Sequence, residues 1–306
     1  MAKWRKLLKY FMDADYRFIT NSRYGGYKNW SDEAFLKRCY KARMKKALNL
    51  ENPQTFNEKL QWLKLYNRKP IYTTMVDKHD VKAYVAERIG EEYIIPTLGV
   101  WDSFDEIDFD ALPNQFVLKC THDSGGLVIC KDKACLDFEK ARKKIEKSLK
   151  RDFFSSGREW PYKNVKPRII AEQFMEDPET QELRDYKFFC FDGVVKALYV
   201  ASDRQTPGEE VKFDFFDADY NHLNFRNVHK NAKVCPAKPK RFELMKELAA
   251  KLSAGVPHLR VDFYEVNGKV YFGEFTFFHM CGWTPFQPEE WDYTFGNWLQ
   301  LPEKKR

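Results

Sequence analysis

Residues 259–282, LRVDFYEVNGKVYFGEFTFFHMCG, constrain this chain more than any other stretch. The runs VDFYEV and KVYFGEF are alternating or continuously apolar and aromatic, and Asn267-Gly268 between them is the pair that a tight type I′ turn prefers. The reading is a β-hairpin. Asp262 lies five residues before Asn267 and Glu274 six after Gly268, so paired strands can bring the two carboxylates together, subject to register. Acids among aromatic residues are costly to bury without a counter-charge. A hard divalent cation such as Mg2+, held by one or two carboxylates plus substrate phosphates, would supply that charge. Two solvated acids on a half-exposed sheet face account for the same pair.

The 306 residues suffice for two domains or one large one with a substantial core. With 43% hydrophobic, 32% charged and 16% aromatic residues the chain reads as globular rather than disordered. No segment approaches the run of about 18 apolar residues that a membrane span needs, and no secretory leader is read at the start. Seven cysteines, an odd number without a C-x-x-C pair, indicate neither a zinc ribbon nor a full disulfide framework; a reducing cytoplasm is the expected compartment. The net charge of +7 favours anionic partners such as nucleotides, phosphorylated sugars, anionic lipid or nucleic acid, without choosing among them.

In residues 1–12, MAKWRKLLKYFM, Trp4, Leu7, Leu8 and Phe11 recur at helical spacing against Lys3, Arg5, Lys6 and Lys9. That pattern suits contact with an anionic membrane surface or docking on the protein's own surface. Further helices are expected over 31–50, with Ser31 as N-cap, and from Thr55, where Thr55 and Glu58 have the capping-box form. A third is expected to begin at Met75-Val76-Asp77-Lys78 and stop at Gly90; a strand follows, which is α/β organisation. By itself Lys78 is an ordinary surface lysine.

QFVLKC is a short strand carrying Lys119, and it runs through His122, Ser124, Gly125 and Gly126 into a second strand, LVIC. Such a loop either covers phosphates with its backbone N–H groups, above the fixed charge of Lys119, or is a plain hairpin turn. His122 reads as structural. After a basic helix over 136–151, the loop holding Arg158, Glu159, Trp160 and Tyr162 is unusual company for an idle linker. PRIIAEQFM is a strand delivering Glu172. Residues 184–204 form a two-strand meander turning at Asp192-Gly193, with Arg184, Asp185 and Lys187 clustered at its start.

Strand-borne Lys119, a Gly-rich flap, Glu172 and an Arg-x-Asp…Glu pair on a late hairpin, in that order, resemble the ATP-grasp superfamily. More narrowly, DKHDVKAYVAERIG, VLKCTHDSGG, REWPY, PRIIAEQFM, DYKFFCFDG and RVDFYEVNGKVYFGEFTF resemble its teichuronopeptide-biosynthesis, or TupA-like, branch over residues 55–286. The resemblance implies an α/β (α+β) fold that holds ATP between two α+β subdomains. It divides the chain into an N-terminal helical extension (1–54), an N-terminal subdomain (55–114), a central lid with the flap (115–175) and a C-terminal subdomain with the metal site (176–306). By resemblance Lys78 and Lys119 hold nucleotide phosphates beneath Ser124, Gly125 and Gly126. Glu172 is the acid at the adenine hinge, the Phe174 backbone meets the base edge, Asp185 takes the ribose, and Lys187 joins this set. Asp262 and Glu274 match Mg2+ ligands, with Thr276 where asparagine is usual, and Arg260 resembles the arginine that stabilises a tetrahedral intermediate.

The activity so implied is an ATP-dependent carboxylate–amine ligase working through an acylphosphate in cell-surface polysaccharide assembly. Its partners would be an amino acid and a uronic acid, sugar or polysaccharide, nucleotide- or lipid-linked, with no nucleic acid. A sugar or polysaccharide kinase on the same fold is the alternative. A non-catalytic binder of anionic polymers explains the +7 but not the ordered acids and lysines. Acceptor specificity is expected in the REWPY loop, residues 279–283 and Asp203-Arg204.

Overall fold

The computed structural model describes residues 2–177, 183–203 and 208–304; Arg204 lies outside them. Three helices open the chain: α1 (Ala2–Met12), α2 (Ala14–Ser22) and α3 (Asp32–Met44). Ser31 caps α3 through a bond from the Ala34 N–H, 3.3 Å. Phe18, Phe35, Leu36 and Tyr40 form a small core of their own with Trp283. Next come α4 (Phe56–Tyr66), closed by the Thr55/Glu58 capping box, then α5 (Ile71–Val76) and α6 (Asp80–Ile89), which stops at Gly90 with φ +115°.

The single helix expected to start near Met75 is therefore two. The Asp77 carboxylate accepts from the His79 and Asp80 N–H groups, at 2.8 and 3.3 Å, and so starts α6 afresh. Arg168 fixes Asp77 from the other side at 2.7 Å. Lys78 sits in the break, free of helical periodicity.

The first sheet has four antiparallel strands in the order β1 (Thr97–Trp101), β4 (Ile169–Gln173), β2 (Phe116–Cys120), β3 (Leu127–Cys130), backed by α7 (Phe138–Leu149). Since β1 pairs with β4, a strand of the 55–114 segment completes the sheet of the 115–175 segment. Phe56, Leu60 and Val85 belong instead to the large core under residues 185–299. The stretch between α7 and β4, expected as loop, holds a short helix α8 (Phe153–Gly157) and a 3-10 turn at Trp160–Asn164.

The second sheet is antiparallel and six-stranded. It comprises β5 (Asp185–Phe191), β6 (Val194–Ser202), β7 (Lys212–Asp217), β8 (His222–Leu223), β10 (Leu259–Val266) and β11 (Lys269–Thr276), in the order β11-β10-β5-β6-β7-β8. A two-residue strand β9 (Arg226–Asn227) pairs separately with β12 (Phe286–Gln287). Helix α9 (Phe242–Ser253) covers one face through Phe242, Met245, Leu248 and Leu252, and α10 (Glu290–Trp298) packs on α4.

The hairpin β10–β11 turns at Asn267 (φ +52°) and Gly268 (φ +71°), the conformation a type I′ turn requires. Its register pairs Phe263 with Phe272 and Asp262 with Glu274, so Gly273 is an extra residue bulged out of the ladder. Five residues on one arm and six on the other thus meet in step. A Cβ at Gly273 would lie 3.1 Å from the Asp262 carbonyl oxygen. Among the described residues no helix is long and apolar enough to cross a membrane, and all seven cysteines carry free thiols.

Candidate active site

Strand register aligns the charged residues. Across β11, β10, β5 and β6, Glu274, Asp262, Lys187 and Tyr199 are successive partners in one row. Two residues along β10, Arg260 faces Thr276; two residues the other way, Tyr264 faces Asp185. Because side chains alternate, all of these project from the face opposite α9, where Tyr199 packs among Phe189, Phe213 and Phe215.

Asp262 has no exposed surface. Arg260 clamps it bidentately, Nε to Oδ1 and Nη2 to Oδ2, both 2.7 Å, and the Lys187 ammonium donates to Oδ2 as well. Burial opposes ionisation of Asp262, but Arg260 and Lys187 outweigh it and hold the carboxyl below its usual range. For the same reason Lys187 stays charged: burial disfavours the ammonium, and Asp262 more than restores it. Arg260 also reaches Glu274 at 3.3 Å.

A further contact of Arg260 fixes a tautomer. Arg260 Nη1 donates to His279 Nδ1 at 3.2 Å, which leaves His279 Nε2–H to donate to Asn227 Oδ1 at 3.0 Å. Asn227 Nδ2 in turn donates to the Thr284 and Pro285 carbonyls. Burial, then the nearby Arg260, push the His279 ring well below the ordinary histidine range, so it stays neutral. The turn carrying it is strained. Met280 (φ +47°), Cys281 (φ +56°) and Gly282 (φ +66°) are successively left-handed. Gln61 and the fully buried Lys64 of α4 hold that turn: Lys64 Nζ donates to Cys281 O at 2.8 Å and Gln61 Nε2 to Gly282 O at 2.5 Å.

In front of this row a cavity of about 180 Å³ gathers Lys78, Lys119, Ser124, Gly125, Gly126, Glu172, Asp185, Lys187 and Glu274 around one space. Glu274 is the acid of the hairpin pair that faces it, its side chain 42% exposed. Glu172 lies between Lys119 at 2.5 Å and Lys82 at 2.6 Å. Burial works against its ionisation, yet the two ammonium groups bring its pKa down to about 2. Burial lowers Lys82 as well, despite the same contact, so the carboxylate gains more from the cluster than the ammonium does. Sequence reasoning missed Lys82, which lies in the first turn of α6 and lines the cavity.

Lys78 donates to the Asp123 carbonyl at the root of the flap. The flap is braced from within: the buried Asp123 Oδ1 accepts from the Gly125 and Gly126 N–H groups, both 3.1 Å, and Ser148 of α7 bonds Oδ2. Gly126 is required by packing, since a Cβ there would lie 2.5 Å from Ser148 Oγ and 2.6 Å from Cys120 Sγ. His122 bonds the Arg151 carbonyl at 3.2 Å, away from the cavity.

Phe174 does not line the charged cavity. It lines an adjoining one of about 230 Å³ that shares Ile95, Lys119, Leu127, Glu172 and Tyr264 and is otherwise walled largely by Val117, Ile129, Met175 and Leu183. A charged chamber opening onto an apolar one fits a nucleotide, phosphates in the first and base in the second. For a divalent cation the fit is partial. Asp262 already has both oxygens occupied by cations, Thr276 stands beside Arg260 at the rear, and Glu274 alone of the three faces the cavity. Among the described residues no group of three or more His, Cys, Asp or Glu side chains is set to hold a metal ion.

A family model described as TupA-like ATPgrasp matches residues 58–300. Curated protein sequences give no match. Among solved structures, the L-amino acid ligase from Bacillus licheniformis is 17% identical, over 72% of this chain and 47% of that one, with a TM-score of 0.44. D-cycloserine synthetase DcsG is 15% identical over 75% and 71%, TM-score 0.42, and D-alanine–D-alanine ligase from Bacillus anthracis complexed with ATP is 13% identical over 66% and 53%, TM-score 0.38. The chain spans about half the length of the first and last of these.

Proposed function

The chain belongs to the TupA-like ATP-grasp family, which the match over residues 58–300 establishes, and from that premise we propose that it is an ATP-dependent, ADP-forming carboxylate–amine ligase. The observation that carries this reading is the convergence of Lys78, Lys82 and Lys119 on one cavity opposite Glu274, with Arg260 behind. The terminal phosphoryl group would pass from ATP to a carboxylate oxygen, releasing ADP. An amine nitrogen would then attack the acyl carbon of the acylphosphate, and phosphate would leave with its electron pair while the nitrogen loses a proton.

Such a reaction asks the protein for placement and for neutralisation of developing charge. Lys78 and Lys119 would hold phosphates, with Ser124, Gly125 and Gly126 above them. Asp185 would take the ribose, and the Phe174 backbone the base edge. Arg260, oriented by His279, would face the anionic intermediate. Glu274, with Asp262 and Thr276 behind it, would help hold a nucleotide-borne Mg2+, whose charge would offset that of the phosphates.

The substrates we propose are an amino acid and a uronic acid or other sugar of a cell-surface polysaccharide, nucleotide- or lipid-linked, in the cytoplasm. A lipid-linked acceptor would bring the enzyme to the inner membrane face, with residues 1–12 as its contact. The deciding experiment measures ADP and free phosphate released from Mg-ATP across a matrix of amino acids and uronic acids. Equal ADP and phosphate, only with both partners present, supports the ligase. ADP without free phosphate means phosphoryl transfer to a hydroxyl and overturns it.

A further inference from the structure

Helix α1 turns its polar edge, not its apolar one, to the rest of the protein. Tyr10 Oη donates to Asn21 of α2 at 2.8 Å, and Arg17 of α2 donates to the Tyr10 and Phe11 carbonyls at 3.2 and 3.0 Å. Asp13 closes the joint, accepting from the Asp15 and Tyr16 N–H groups as the cap of α2, while Lys9 lies 5.0 Å from the Tyr16 ring. The consequence is an apolar stripe left in solvent: Trp4 is 78% exposed, Leu7 49%, Leu8 65% and Phe11 66%. At about 100° per residue these four fall within an arc of roughly 100°. A helix pinned by its polar edge with four large apolar side chains outward is arranged to meet something apolar.

Charge selects what that is. Residues 1–12 contain Lys3, Arg5, Lys6 and Lys9 and no acid. The nearest acids are engaged within the helical extension: Asp13 caps α2, and Asp15 pairs with Arg38 and Lys45, both at 2.8 Å. An apolar stripe on a helix that carries cations and no acid is complementary to an interface that is apolar in depth and anionic at its surface. Eleven residues span about 16 Å, half the thickness of a bilayer core, so the helix suits lying in the plane of a leaflet.

We propose that α1 is a docking element for an anionic lipid bilayer, with Trp4, Leu7, Leu8 and Phe11 entering the acyl boundary and Arg5, Lys6 and Lys9 meeting lipid phosphates. This gives the membrane contact named above its residues and its lipid chemistry. It rests on the helix alone and stands whether or not the ligase reading does.

The test is co-sedimentation of the full chain, without nucleotide, with vesicles of 70% phosphatidylcholine and 30% phosphatidylglycerol and with vesicles of pure phosphatidylcholine. The chain should pellet with the anionic vesicles at least tenfold more than with neutral ones, and less as salt is raised. L7E/L8E and K6E/K9E, at exposed positions and with native circular dichroism, should each reduce binding about tenfold or more. Equal binding of L7E/L8E and the native chain, or no binding of the native chain to anionic vesicles, overturns the proposal. So does a native dimer that L7E/L8E dissolves without vesicle binding, since the stripe would then be covered by a second copy of the chain. Nucleotide turnover measured in parallel keeps a failure here distinct from a failure of the ligase reading.

Discussion

The two cationic regions of the site use the same side chains to opposite ends. On β10 and β5, Arg260 and Lys187 are locked to a fully buried Asp262. In the cavity, Lys78, Lys82 and Lys119 are met by two carbonyls, those of Asp123 and Ile95, and one shared carboxylate. The first arrangement satisfies itself; the second leaves positive charge that an anion arriving from solvent can take up. Removing a charge should therefore cost stability as well as function in the first region and function alone in the second.

Asp262→Ala strands two buried cations and should cost about 3–5 kcal/mol of stability, read as a drop in the midpoint of denaturant unfolding. An unchanged midpoint would erase the contrast between the regions. Lys119→Ala and Glu274→Ala should each lower turnover by about 10²–10³-fold, the scale of losing one preorganised charge contact, while the same unfolding measurement stays near native. A sharper probe is Asn227→Asp. In the native chain His279 is held neutral, and Arg260 donates to its bare nitrogen. An aspartate beside Nε2–H raises the ring's pKa, so as pH falls the ring gains a proton and releases Arg260. Turnover of the variant should then fall about tenfold between pH 8 and 6, where the native profile should have no such limb.

The smallest effect is expected at Lys82. Lys82→Ala should weaken nucleotide binding about tenfold, as befits one charge-assisted contact, measurable by calorimetry. It also removes one of the two cations that keep the Glu172 pKa near 2 against an ordinary 4.5. A depressed carboxyl contributes stability that is present above about 4.5 and lost as pH falls through 2. Raising its folded value shrinks that contribution and should move acid unfolding of the variant to higher pH.

Local order was legible in the sequence wherever it came from local chemistry. Asn267-Gly268 announced its turn, Thr55 with Glu58 its helix start, and Gly90 its helix end. Lys78, Lys119, Glu172, Asp185, Lys187 and Glu274, singled out because their order along the chain resembles a known family, line one cavity in the structure. Hidden from it were effects of pairing over distance. Nothing near Thr97 says that β1 joins a strand some seventy residues on, and nothing near Asp123 says that its own carboxylate takes the N–H groups of the flap. Lys82 stayed invisible because a lysine on a helix is ordinary until Glu172 arrives beside it. Likewise the two carboxylates of the hairpin looked equivalent, and only the tertiary neighbours of Asp262 separate a buried counter-ion from a cavity-facing acid.

The bulge at Gly273 gives β11 something like a reading frame. Before it the core-facing letters are Val270 and Phe272; after it they are Phe275 and Phe277. A chain lacking this one glycine would keep its composition and its turn. Beyond the missing letter, however, either aromatic residues would be read toward the cavity and Glu274 toward the core, or the turn would have to surrender its own geometry to restore the phase. Length variation among relatives should accordingly be tolerated in the loops of this chain and almost nowhere between residues 269 and 277, where a single residue decides what the strand says to each side.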